Sequence, residues 1–172
     1  CGSGRNMSPS EKIIYYGVDS SQEQIRGARE YMKQNNMRAK LFCSDITNLN
    51  KKIFKNDMFD YGLCIATVHC IDSKEKRKKT MQEFYRILKP GAEAILTVWN
   101  ARDKRFNVVN NRGDIYMSWT ENKNINMRYY YLFDIDELAA LLTKAGFKIL
   151  EWYTPREKDR FSRKNLIVRM KK

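Results

Sequence analysis

Gly2 and Gly4 stand two residues apart at the start of this 172-residue chain. Glycines in such a turn let a backbone approach a ligand closely and adopt positive φ. Asp19 ends one short run of β-formers, Ile13–Val18, and Asp45 follows a second, Ala39–Cys43. A carboxylate at a strand end can accept both hydroxyls of a ribose, and one after the next strand can meet an adenine amino group. In open α/β sheets, ligands bind beyond the carboxyl ends of the strands, where both acids fall. Ile46, beside Asp45, and Ala66, closing the run Phe59–Ala66, join this candidate binding set. The fingerprint of dinucleotide dehydrogenases expects a third glycine opening the helix, but Arg5-Asn6-Met7-Ser8 follows Gly4 without one.

These residues need elements to hold them. Ser20 or Ser21 can cap a helix from about Gln22 that carries Ile25, Ala28 and Met32 on one face. Phe59–Ala66 is nearly continuous in apolar character and is predicted to be a strand buried on both faces. Lys74–Leu88 predicts a helix with a stripe at Met81, Phe84, Tyr85 and Leu88, stopped by Lys89-Pro90-Gly91. Ala94–Trp99 is a fourth strand, and Asp134 caps a helix ended by Gly146. Lys148–Tyr153 and Asn165–Met170 are strand-like. Strands alternating with helices imply βαβ units and a mostly parallel sheet. The length suits a single domain, residues 1–172. Residues 101–127 read as a polar insert with a function, and 154–164 as a charged loop. The glycine turn is of the kind that follows a first strand, yet none precedes it, so the natural protein is expected to extend further toward its amino terminus.

Lys and Arg number 33 against 20 Asp and Glu, a formal charge of +13. Such an excess favours a polyanionic partner through counterion release, or is a solvated basic surface and nothing more. No apolar run approaches the roughly 18 residues of a membrane span, and no leader pattern is present, so a soluble protein is expected. The cysteines, Cys1, Cys43, Cys64 and Cys70, form no C-x-x-C pair, and His69 is the single histidine, so no metal site is expected. Cys43 and Cys64 read as small buried hydrophobes in a reducing compartment. That suits the cytoplasm, with the nucleus open as well.

Several of these segments resemble the motifs of class I S-adenosylmethionine-dependent methyltransferases. Cys1-Gly2-Ser3-Gly4 looks like the end of their first motif, Asp19 the second, Asp45 the third and Phe59-Asp60 the start of the fourth. Leu88-Lys89-Pro90-Gly91 looks like the turn before their fifth strand. The resemblance implies a Rossmann-like α/β fold with a mostly parallel seven-stranded sheet, helices on both faces and the last strand antiparallel. It implies S-adenosylmethionine as cofactor, and a first strand missing from this chain. More narrowly, Ile65–Cys70, Val98-Trp99, Gly113–Trp119 and Arg128–Phe133 resemble, in this order, the eukaryotic tRNA (carboxymethyluridine) methyltransferase family. That family esterifies a carboxymethyl group on the wobble uridine of tRNA. Membership implies tRNA and a small zinc-binding activator subunit as partners, the latter in a heterodimer. Members usually carry two adjacent histidines where His69-Cys70 stands, and often a histidine at Tyr131.

Three residues are candidates for the transfer itself. A carboxylate acceptor is already a nucleophile, so orientation matters more than proton transfer. Arg128 could grip that carboxylate in a fork. His69 could bind it or act as a base, or make a structural hydrogen bond at a strand end. Asp114 could line the pocket or cap a local turn. Trp119 and Tyr129 could stack on an unpaired anticodon base, whereas Tyr130 reads as core. Lys74, Arg77 and Lys78, with Lys76 and Lys79, could track RNA phosphates or form a solvated face. Arg156, Lys158, Arg160, Arg163 and Lys164 could do the same. The rival readings are a methyltransferase for a small carboxylic acid or protein, and a non-catalytic RNA-binding relative.

Overall fold

The computed structural model describes residues 1–103, 106, 113–121, 124–155 and 165–172, apart from the side chains of Trp119, Glu121 and Asn124. The chain divides into two compact units, Cys1–Ile53 and Phe54–Lys172.

The first unit is a βαβ unit. Strand β1 (Tyr15–Asp19) pairs in parallel with β2 (Ala39–Cys43), and helix α1 (Gln22–Gln34) crosses between them. The Ser21 hydroxyl accepts the Gln24 N–H, satisfying a donor that the first helical turn would leave orphaned. Ile25 and Ala28 are fully buried on the inner face of α1. Ile13 and Ile14 precede the strand and are exposed, and Cys43 is exposed rather than buried. Cys43 ends β2, and its thiol reaches the Ser20 carbonyl instead of the core.

The second unit holds β3 (Phe59–Ile65), a 3-10 turn at Val68–Cys70, α2 (Lys74–Ile87) and β4 (Leu88–Trp99). Next come β5 (Gly113–Glu121), β6 (Asn124–Leu132), α3 (Ile135–Ala145), β7 (Lys148–Tyr153) and β8 (Asn165–Lys171). The sheet order is β3-β4-β8-β7, with β3 and β4 parallel and β8 antiparallel to both its neighbours. The last strand is antiparallel, as expected. Strands β5 and β6 form a separate antiparallel hairpin, so much of the stretch read as an irregular insert is regular structure. Among the described residues the strands lie in three sheets rather than one of seven.

One face of the four-stranded sheet carries the core. Cys64, Ala94, Leu96, Val98, Leu166, Val168 and Met170 pack there against Met81 of α2 and Leu138 and Leu142 of α3. Full burial of each large aliphatic side chain contributes roughly 1.5–3 kcal/mol. The other face leaves Tyr61 79% and Leu63 53% exposed. Strand β3 is therefore not buried on both faces, because among the described residues it pairs only with β4 and α2 and α3 lie on the opposite side. Helix α2 also stops a residue early, and β4 begins at Leu88 with the Lys89-Pro90-Gly91 turn inside it. Gly146, in the left-handed region at φ +108, ends α3. No helix of the described residues is long and apolar enough to cross a membrane.

Packing of α2 on the sheet is tightest at Gly62, where an added Cβ would lie 2.6 Å from Cζ of Phe84. That ring also packs on Phe147, at 5.9 Å between centroids, which limits where it can go. Gly62→Ala is therefore expected to cost about 1–3 kcal/mol of stability. Denaturant unfolding measures it, and a midpoint equal to wild type would show that the ring yields freely.

Candidate functional site

In the first unit, Gly2 and Gly4 both adopt positive φ, +55 and +88. A Cβ on Gly4 would meet Met7 and Tyr31 at 3.2 Å, so both conformation and space demand glycine there. Asp19 is half-buried at the end of β1; one carboxylate oxygen accepts the Gly2 N–H at 2.8 Å and the other the Ser21 N–H at 2.9 Å. Burial, the largest effect, pushes its pKa up, but hydrogen bonds from Ser21 and Gly2 together with the Cys1 ammonium outweigh it and leave the pKa below the usual value. The group is a fixed anion. The Cys1 amino group also donates to the oxygen that Gly2 reaches, at 3.1 Å, so of the roughly four lone-pair sites of a carboxylate about one is left for a hydroxyl. Asp45 is exposed just past β2 and accepts the Thr47 N–H at 2.8 Å. Ile46 beside it is half-buried.

In the second unit, the carboxyl ends of β3 and β4 carry the remaining candidates. Ala66, just past β3, adopts φ +52, an unfavourable region for a residue with a Cβ. Its N–H donates to the Thr97 hydroxyl at 3.0 Å and carbonyl at 3.2 Å, which holds the strained turn.

His69, in the turn after Ala66, is only 2% exposed. Its ring stacks on Trp99 at 5.1 Å and lies 5.9 Å from Tyr130, which itself stacks on Trp99 at 4.2 Å. The Nδ1 atom is buried and has no hydrogen-bond partner, so the expected structural bond is not made by that nitrogen. Burial pushes the pKa down to about 4. The imidazole is neutral and weakly basic at physiological pH.

A cavity of about 200 Å³ opens beside this stack, lined by Trp99, Met117, Ser118, Arg128 and Tyr130. Register decides which candidates share it. Met117 pairs with Arg128 and Ile115 with Tyr130 on one face of the hairpin, whereas Asp114 pairs with Tyr131 and Tyr116 with Tyr129 on the other. Arg128 and Asp114 thus face opposite sides. Asp114 instead accepts the Tyr129 hydroxyl at 2.5 Å. Tyr130, expected in the core, is half-buried and also lines the cavity.

The basic face of α2 needs one correction. Lys74 and Lys78 are exposed, but Arg77 is 5% exposed and turned inward, so it cannot track phosphates. Its guanidinium donates to the Ile71 carbonyl at 2.8 Å and to the Tyr129 hydroxyl at 2.9 Å. The side chain of Trp119 and the loop cations Arg156, Lys158, Arg160, Arg163 and Lys164 lie outside the described residues. No group of side chains suited to a metal ion occurs among the described residues. A larger recess of about 430 Å³, lined by Asp60, Tyr61 and 89–93, lies at the amino ends of β3 and β4, away from these candidates. Trp99, Met117 and Ser118 were not read as cavity residues because the hairpin that brings them together was not visible as such.

His69 titrates at about 4 in the fold against 6.5 when solvated. The unfolded chain therefore binds more protons between those values, and stability rises with pH across that window. The group's contribution is complete above pH 6.5 and lost as pH falls to 4, on the order of 3 kcal/mol at about 1.4 per pH unit. His69→Phe keeps a ring for the stack and removes the titration. Unfolding free energies at pH 7 and pH 4 should show the variant gaining about that much relative to wild type. A constant difference would mean that the folded ring charges freely.

Similar proteins give the arrangement its context. A methyltransferase of Encephalitozoon cuniculi is 31% identical over 108 residues, 60% of this chain and 51% of that protein. A tRNA (carboxymethyluridine(34)-5-O)-methyltransferase of Schizosaccharomyces pombe is 27% identical over 138 residues, with 60% of this chain and 59% of that one covered. The chain thus spans little more than half the length of either relative. A solved S-adenosylmethionine-dependent methyltransferase from Methanosarcina mazei superposes with a TM-score of 0.78 at 22% identity, covering 100% of this chain and 89% of that one. The fold is therefore the Rossmann-like methyltransferase fold. Residues 1–91, which include the glycine turn, Asp19, Asp45 and Ala66, match the sequence profile of the methyltransferase domain, and the chain belongs to that family.

Proposed function

We propose that this protein transfers a methyl group from S-adenosylmethionine to the carboxymethyl group of the wobble uridine in tRNA, forming the methyl ester. The observation that carries this reading is the cavity in which Arg128 stands among the walls formed by Trp99 and Tyr130. A flat pyrimidine suits aromatic walls, and a guanidinium matches a carboxylate in a two-pronged hydrogen bond. The name of the Schizosaccharomyces pombe relative supports the same acceptor.

The neutral His69 fits as well. An alcohol or amine acceptor would need a proton removed, but a carboxylate needs only to be held in line with the methyl group. A buried, weakly basic imidazole serves that reaction as a wall. Bound S-adenosylmethionine supplies the methyl group on a sulfonium centre. The first unit's residues suit that ligand: the Gly2–Gly4 turn permits close backbone approach, and Asp19 keeps an acceptor site for a ribose hydroxyl. Asp45 and Ile46 of the same unit complete the set. The cationic excess, with Lys74 and Lys78 exposed on α2, suits a tRNA backbone. The reading brings with it a small zinc-binding activator subunit and a cytoplasmic setting.

The test uses the full-length protein co-expressed with an activator, labelled S-adenosylmethionine, and tRNA from cells lacking the ester. Label recovered in a base-labile ester on wobble uridine is the expected result. Label on another acceptor, such as a small carboxylic acid or a protein, would overturn the choice of substrate. Asp19→Ala should weaken cofactor binding roughly 10- to 100-fold by calorimetry, the worth of hydrogen bonds to a charged group. Arg128→Ala should leave that affinity unchanged and slow transfer by a similar factor. Unchanged turnover in Arg128→Ala would remove Arg128 from the acceptor site.

A further inference from the structure

Arg77 is buried without meeting a carboxylate directly. Its described contacts are the Ile71 carbonyl, the Tyr129 hydroxyl and the face of the Tyr131 ring, 3.7 Å from the guanidinium carbon. Each of these tyrosines donates its own hydroxyl hydrogen bond outward to an acid. Tyr129 donates to Asp114 at 2.5 Å, and Tyr131 donates to Glu137 of α3. A desolvated cation is costly unless it is well contacted, and here it is held by a ring face and a phenol oxygen. Hydrogen bonds in series polarise one another, so a guanidinium on the Tyr129 oxygen strengthens the bond from Tyr129 to Asp114.

We propose that Arg77 is a positioning residue for Asp114: through the Tyr129 hydroxyl it fixes one oxygen of that carboxylate and so sets where the other oxygen points. Arg77 touches no substrate in this scheme. It ties α2 to the β5–β6 hairpin. Asp114, exposed on the hairpin face opposite Arg128, then presents its second oxygen as an aimed acceptor for a tRNA hydroxyl outside the Arg128 cavity, such as a ribose hydroxyl of a flanking nucleotide. This last role rests on the tRNA reading above; the relay itself does not.

Both shifts of the Tyr129 phenol follow from the geometry. Burial and the bond to Asp114 raise its pKa, while Arg77 lowers it. In protein carrying tyrosine labelled at Cζ, carbon NMR titration of Tyr129 should move upward in Arg77→Met and downward in Asp114→Asn. A Tyr129 titration unmoved by either change would overturn the relay, whatever the enzyme does. The kinetic arm uses Tyr129→Phe, which keeps the ring and removes only the hydroxyl. It should reduce kcat for the tRNA acceptor roughly 10- to 100-fold, as small misplacements do, and leave cofactor affinity unchanged. Adding Arg77→Met to Tyr129→Phe should slow kcat no further, because the path is already cut. Independent, multiplying losses would show that Arg77 acts only as a structural support and would overturn the proposal. If wild-type protein methylates no tRNA, the acceptor reading fails, and the NMR titrations alone decide the relay.

Discussion

The stack of Tyr130 on Trp99 is the contact on which the second unit's candidate site depends. Among the described residues the β5–β6 hairpin belongs to no larger sheet. A two-stranded hairpin is marginal by itself in water, so its place must come from side chains. Trp99 closes β4, a strand that Leu96 and Val98 lock into the core. A well-placed aromatic pair adds about 0.5–1.5 kcal/mol beyond burial, and here it also fixes a position. The Asn100–Phe133 bridge ties the far end of β6 beside the same strand end. With the ribbon held this way, alternation along β6 sends Arg128 and Tyr130 to one side and Tyr129 and Tyr131 to the other.

That division separates two kinds of electrostatics. On the Arg128 side, the cavity walls are largely rings, with a neutral imidazole stacked behind Trp99, so an entering anion meets the Arg128 guanidinium. On the Tyr129 side, a buried cation is compensated at a distance, through phenols that end on Asp114 and Glu137. Tyr131 is pushed up to about 12, first by burial and then by its bond to Glu137, so it stays protonated. Neither side supplies a strong base. Chemistry that needs only a held nucleophile is compatible with this arrangement; chemistry that must first strip a proton is poorly served by it.

Much of the fold was legible in the sequence because strong local signals agreed. Ala39–Cys43 reads as a strand and is one; Asp134 and Gly146 bracket α3 as cap chemistry demands. Asp19 falls at the end of β1 and Asp45 two residues past β2 for the same reason. The hairpin was missed because Gly113–Glu121 and Asn124–Leu132 carry Asn, Arg, Ser and Asp among their aromatics. Polar composition masked an alternation whose two faces both carry polar side chains, Arg128 on one and Asp114 on the other, so neither is uniformly apolar. The exposure of Tyr61 and Leu63 was illegible for a different cause. A continuous apolar run states what could be buried, while coverage depends on which elements lie on each face.

Arg77 shows how composition can override periodicity. Within Lys74–Lys79 it looks like one more cation of a basic face. Yet it stands four residues before Met81 and seven before Phe84, in line with the apolar stripe that packs α2. Helical geometry therefore required it to point inward, and its guanidinium required partners there. The aromatic run Tyr129-Tyr130-Tyr131 supplies them, since two tyrosines on one face of a strand can offer a ring and a hydroxyl to the same cation. A lysine in the same place would present a point charge without the plane that lies on Tyr131. The residue type, its helical phase and the alternation of the opposing strand together specify this contact, although no one of them does so alone.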